Sequence, residues 1–213
     1  MSVILLGDDS RGVAMAIEIR VARGGDAGEI ARIYRPFVES TIISFETVPP
    51  DPSQMADRLA ATLPRYPWIV CEWEGRIAGY AYATTHRERK AYQWSVDTSA
   101  YVHPEFWRRG IGRGLYRSLF EILSAQGFTN AYAGIALPNP GSVGLHESVG
   151  FRPVGVYRSV GYKLGGWHDV GWWQLGLRNH EPSPSEPVDL VTVQSREEWP
   201  TLVTAGISSI RSS

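Results

Sequence analysis

The chain has 213 residues, 43% of them hydrophobic, which suits one compact domain with a full core and some tail. Its 21 basic and 22 acidic residues leave a net charge of -1, without the basic excess of a sequence-independent nucleic-acid binder. The single cysteine, Cys71, excludes an intrachain disulfide framework and a cysteine-rich metal site, and no apolar run approaches a membrane span. The start lacks a basic leader, a long apolar run and a cleavage site, so no signal peptide is expected, and residues 1–16 read as an extension with Met15 as an alternative start.

Ile17 to Val21 alternates apolar and polar residues and reads as a strand. Asp26 opens a helix with Ile30, Ile33, Tyr34 and Phe37 on one face, and Pro36 predicts a distorted turn or early stop. After a mixed stretch closed by Pro49-Pro50, a short helix runs from Ser53 to about Thr62. Trp68 to Trp73 and Ile77 to Thr85 flank Glu74-Gly75-Arg76 as a β-hairpin. Arg87 to Lys90 is a charged loop, and on charge alone a solvated one. Ser95 to Val102 is a strand. A Gly-rich turn then leads to a helix from Ile111 to Gln126, with Gly127 as its C-cap. Asn130 to Leu137 is a strand, Asn139 to Val149 a short helix, and Phe151 to Val160 and Asp169 to Leu177 two closing strands. The tail from Asn179 begins with Pro182, Pro184 and Pro187, and reads as a loosely attached extension.

This order is α/β with a mixed sheet. A doubly wound fold would alternate strand and helix throughout. Trp107-Arg108-Arg109-Gly110-Ile111-Gly112-Arg113-Gly114 lies between a strand and a helix. Glycines let backbone N–H groups converge there, the helix start adds unpaired donors and positive potential, and the arginines add charge, so the segment suits a pyrophosphate. An ordinary glycine-containing helix entry with solvated arginines reads the same way. The spacing is G-x-G-x-G, which is not a dinucleotide-binding fingerprint. Downstream, Asn139 precedes a helix on which Ser142 and His146 share a face.

Together these segments resemble the GNAT acetyltransferase superfamily. Ala100-Tyr101-Val102-His103-Pro104, followed by Arg-Arg-Gly-Ile-Gly-Arg-Gly, is similar to its acetyl-CoA signature. Asn139-x-x-Ser142, with His146-Glu147 and Gly150-Phe151, is similar to the second. The likeness extends to phosphinothricin N-acetyltransferases and their methionine-sulfoximine-acetylating relatives through Arg65-Tyr66-Pro67-Trp68, Ala91-Tyr92-Gln93-Trp94, Ala125-Gln126-Gly127-Phe128, Leu137-Pro138-Asn139 and Gly166-Trp167-His168-Asp169-Val170-Gly171. It covers residues 17–177 and implies a GNAT fold, with a mixed, mostly antiparallel sheet of about seven strands flanked by helices. It further implies a cytoplasmic homodimer with one active site per subunit, acetyl-CoA as co-substrate, no metal, and a small amino-acid-like amine as acceptor.

Residue by residue, the resemblance points to Ala100, Tyr101, Val102, Trp107, Arg108, Arg109, Gly110, Ile111, Gly112, Arg113, Asn139 and Ser142 for the cofactor. It points to Phe45, Arg87, Arg89, Lys90 and Tyr92 for the acceptor. Asp97 is the expected base and His146 the expected proton carrier, at the amine or at the departing thiolate. Backbone N–H groups near Tyr101 and Val102 would stabilise the oxyanion. Two departures stand out: Trp107 replaces the usual Gln or Arg, and Asp97 replaces a glutamate one methylene longer. The latter keeps a non-catalytic acetyl-CoA-binding module in view. A nucleotide-cofactor oxidoreductase would need its glycine turn early in the chain rather than at its middle.

Overall fold

A computed structural model of the protein describes residues 4–6 and 15–211. One eight-stranded sheet carries the fold: β1 (Ile4–Leu6), β2 (Met15–Val21), β3 (Trp68–Trp73), β4 (Arg76–Thr85), β5 (Ser95–Val102), β6 (Asn130–Leu137), β7 (Arg152–Lys163) and β8 (Gly166–Gly176), in the order β1-β2-β3-β4-β5-β6-β8-β7. Every neighbouring pair is antiparallel except β5 and β6. This is the sheet of about seven strands that was expected, with one short strand, β1, added from the segment ahead of residue 17, which pairs its backbone with Met15 to Ile17.

Helices α1 (Ala27–Ser40) and α2 (Pro52–Thr62) cover one face of the sheet. Asp51 caps α2 through Gln54 N, and Pro52 takes the first helical position, where its missing N–H costs nothing. Pro36 does not stop α1, which continues to Ser40. On this face Ile30, Ile33, Tyr34, Met55 and Leu59 pack with Trp68, Val70 and Tyr80.

Helix α3 (Ile111–Gln126) fills the other face with Leu115, Tyr116, Leu119, Ile122 and Leu123, beside the short helix α4 (Pro140–Ser148). Alternation along β5 divides its side chains between the two cores. Val96, Ala100 and Val102 join the α3 core, whereas Tyr101 packs with the α1–α2 core, placing Asp97 and Ser99 on that same side.

The tail differs from the loose extension expected. Residues 181–186 are exposed, but α5 (Leu190–Gln194), α6 (Trp199–Thr204) and the turn Ile207–Ser209 fold back along α3. Leu190, Val203, Ile207 and Ile210 are buried in its core, and Val193 is buried as well. Gly114 and Gly206 let the two backbones touch, and the Gly206 N–H donates to Ser118 Oγ at 3.0 Å. These apolar residues are too widely spaced among prolines and polar residues to read as one amphipathic element. Among the described residues no helix is long and apolar enough to cross a membrane.

Candidate active site between two parting strands

Strands β5 and β6 pair only at Ser95–Asp97 with Asn130–Tyr132. Beyond Asp97, β5 keeps its pairing with β4 while β6 pairs with β8, so the facing edges of β5 and β6 part. His103 N donates to Ala78 O at 2.9 Å, and Gly79 lies close against Tyr101 O. By alternation, the Tyr101 N–H and C=O are spent on β4, and those of Ala100 and Val102 face the gap. Of the two backbone donors expected for an oxyanion, Val102 is therefore at the gap and Tyr101 is not. The Val102 carbonyl accepts from Trp107 Nε1 at 2.8 Å, which folds the exposed indole over the end of β5.

The Gly-rich turn stands at the end of β5. Arg108 and Gly110 have φ of 68° and 79°, a left-handed pair that swings the chain into α3. Gly114 N closes the first helical turn on Gly110 O at 2.9 Å, leaving the N–H groups of Ile111, Gly112 and Arg113 ahead of it as helix-start donors. The glycines also serve the protein's own packing. A Cβ at Gly110 would overlap Ser209 O, and one at Gly112 would lie 2.9 Å from Leu145 Cδ2. The three arginines divide: Arg108 and Arg113 are exposed, whereas the Arg109 guanidinium sits 4.9 Å above the Trp73 ring and near Phe106. Arg109 is thus occupied in packing. The unpaired strand edges and the donor-rich turn fit a long thioester cofactor with a pyrophosphate: the backbone of Ala100 and Val102 would meet its amide-bearing arm, and the turn its phosphates.

His146 lies on the α3 side. It is 6% exposed, and both ring nitrogens are engaged: Nδ1 with Ser142 O at 2.7 Å, and Nε2 with Tyr116 Oη at 2.7 Å. Donation from Nδ1 to the carbonyl leaves Nε2 as acceptor from the tyrosine. Burial pushes the His146 pKa down and that of Tyr116 up, holding both neutral. Asn139 Oδ1 caps α4 by accepting from Ser142 N, at 3.1 Å.

Asp97 lies on the opposite side, and His86, which the sequence reading passed over, joins it. His86 Nδ1 is 2.6 Å from Asp97 Oδ1, and its ring stacks on Tyr132 at 4.3 Å, edge-on to Tyr92 and Trp172. Burial pushes the Asp97 pKa up, against the pull of His86 and Arg87. Thr85, His86, Arg87, Glu88, Arg89 and Tyr92 line an open pocket of about 550 Å³ beside it.

The expected acceptor residues are only partly gathered here. Arg87 reaches over the Trp172 ring, and Arg89 and Tyr92 line the pocket. Lys90 instead pairs with Glu186 of the tail at 2.9 Å, and Phe45 packs against Gly161 and His168 on the β7–β8 hairpin. Cys71 is buried, and its thiol is pushed up to about 12, so it offers no thiolate.

A family model described as an acetyltransferase (GNAT) domain matches residues 19–172. The chain is a GNAT N-acetyltransferase. It is 43% identical over 177 residues to a phosphinothricin N-acetyltransferase of Streptomyces viridochromogenes, covering 83% of this chain and 95% of that protein. It is 35% identical over 164 residues to an L-methionine sulfoximine/L-methionine sulfone acetyltransferase of Salmonella typhimurium, covering 76% and 95%. Among solved structures, a GNAT phosphinothricin acetyltransferase of Sinorhizobium meliloti in complex with acetyl-CoA superposes with a TM-score of 0.76 at 34% identity, covering 81% of this chain and 95% of that one.

Proposed function

We propose that this N-acetyltransferase moves the acetyl group of acetyl-CoA directly onto the α-amino group of a small amino acid such as phosphinothricin or methionine sulfoximine. The observation that carries the reading is the gap between β5 and β6, which has a half-buried carboxylate on one side and a neutral His–Tyr pair on the other. When bound, acetyl-CoA supplies an acetyl group on a thioester. The Val102 N–H, facing the gap, would polarise its carbonyl, and the amides of Ile111 to Arg113 with Arg108 and Arg113 would hold the pyrophosphate.

The acceptor's ammonium must lose a proton before it can attack. Asp97 and its surroundings serve that step from the α1–α2 side. His146 and Tyr116 lie across the sheet, where they would serve the departing thiolate rather than the amine. Arg87 and Arg89 offer charge to the acceptor's carboxylate and to a second anionic group. No acyl-enzyme is needed, and buried Cys71 would be a poor nucleophile.

The same reading takes the enzyme as a cytoplasmic homodimer. The single free cysteine suits a reducing compartment. Edge strand β7 exposes Val154, Val156, Tyr157, Val160 and Tyr162, an apolar stretch that a second copy could cover.

Thiol release from acetyl-CoA across a panel of α-amino acids tests the substrate class, with N-blocked analogues as controls. Phosphinothricin, methionine sulfoximine or methionine sulfone should stand out. Equal turnover of blocked and free amines would refute α-amino transfer.

A further inference from the structure

We infer that His86 is the catalytic base of the transfer and that Asp97 is its positioning residue. The inference rests on the acetyl-transfer reading and changes which atom receives the proton. Asp97 is held by strand register opposite Thr84, so its side chain rises from β5 beside the chain leaving β4. There it meets His86 Nδ1 at 2.6 Å, a short contact that a hydrogen bond to a charged partner favours. The carboxylate oxygen facing the imidazole is thereby engaged.

Donation from Nδ1–H to Asp97 fixes the other nitrogen, Nε2, as the lone-pair-bearing atom. Nε2 has no hydrogen-bond partner among the described residues, whereas both nitrogens of His146 are engaged. The His86 ring is not free to turn: Tyr132 stacks on it, and Tyr92 and Trp172 meet it edge-on. The residue also lines the pocket that holds Arg87, Arg89 and Tyr92. A base clamped by aromatic rings, oriented by a carboxylate and set in the lining of an open pocket suits amine deprotonation.

The shorter Asp at position 97 acquires a physical sense here. The imidazole carries the influence of the shorter carboxylate one ring further from β5. Nε2 takes one proton from the substrate ammonium, giving imidazolium beside the Asp97 carboxylate. The freed electron pair forms the C–N bond to the acetyl carbon as the C–S bond breaks, and that pair leaves on sulfur. The nitrogen's second proton goes to the thiolate, and His86 returns its own to water. The charged or titratable groups around His86 are Asp97 on β5, Tyr132 on β6, Tyr92 in the turn before β5, and Arg87, Glu88 and Arg89 in the loop.

The test compares wild type, His86→Asn, Asp97→Asn and the double variant by steady-state thiol release with methionine sulfoximine from pH 5.5 to 9. Acetyl-CoA affinity is measured by calorimetry in each. Asn at 86 can still donate to Asp97 but has no ring nitrogen to take a proton. His86→Asn should lower kcat by about a hundred-fold or more and abolish the acidic limb of the pH profile, with acetyl-CoA affinity retained. Asp97→Asn should lower kcat less and shift that limb, because the imidazole remains but loses its carboxylate. The double variant should be no slower than His86→Asn alone. Added imidazole should partly restore a His86→Gly variant, which a merely structural role would not produce. A His86→Asn enzyme with wild-type kcat and pH profile would overturn the dyad while leaving acetyl transfer standing. A wild type that binds acetyl-CoA but releases no thiol with any amino acid would overturn the transfer reading itself.

Discussion

Gly206→Ala probes how the tail holds the Gly-rich turn. Gly206 has φ of -89° and ψ of -8°, a conformation alanine adopts freely, so the substitution tests contact rather than backbone strain. Its new methyl would overlap the Gly114 carbonyl, part of the helix backbone that cannot rotate aside. Forcing one extra carbon into a packed site costs about 1–3 kcal/mol, and an immovable obstacle favours the upper end. At about 2–4 °C per kcal/mol for a chain of this size, a cost of about 3 kcal/mol lowers Tm by roughly 6–12 °C. The displaced segment carries Ser209, which abuts Gly110, and Arg211, whose N–H donates to Arg109 O at 2.9 Å. Acetyl-CoA affinity should therefore fall with stability. Calorimetric melting and titration read both effects. Gly28→Ala is the control: it sits in α1 with open space around a new Cβ, and should hold Tm or raise it. If Gly206→Ala melts like wild type, the tail does not pack on α3 as described.

Arg108→Ala and Arg113→Ala should each weaken acetyl-CoA about ten-fold or more, the worth of one charge-assisted hydrogen bond, whereas Arg109→Ala should act mainly on Tm through Trp73; equal affinity losses at all three would contradict the division of roles. Lys163 donates to Val38 O and Ser44 O at 2.6 Å each, so Lys163→Met should cost about 1–3 kcal/mol in urea unfolding by leaving two carbonyls without their donor. His146 has its pKa held below the ordinary 6.5, so the folded state favours its neutral form. Its contribution is complete above 6.5 and is lost as pH falls through the lowered folded value, so His146→Gln should flatten the acid side of a Tm-against-pH curve. An unchanged slope would show that the ring is not held neutral.

The segments legible in the sequence were those whose pattern is local. β5, α3 and the hairpin of β3 and β4 announce themselves by alternation, helical spacing and Gly75, Gly110 and Gly127. What escaped depends on distance along the chain. His86 and Asp97 are eleven residues apart, and only the β4–β5 register, with Thr84 opposite Asp97, brings them together. Extending that register by two residues would have found the histidine. Lys90 and Arg109 read as free cations because nothing near them in sequence names Glu186 or Trp73. The tail's apolar residues are scattered among prolines, so their common surface exists only once α3 is in place to receive them.

Product analysis tests acetyl transfer across the β5–β6 gap most directly. The protein is incubated with acetyl-CoA and methionine sulfoximine, and products and intact protein are weighed by mass spectrometry. The expected result is N-acetylated amino acid and free CoA in equal amounts, with the protein mass unchanged. An acetylated protein competent to pass its acetyl group to the amine, or hydrolysis to acetate without N-acetyl product, would contradict direct transfer.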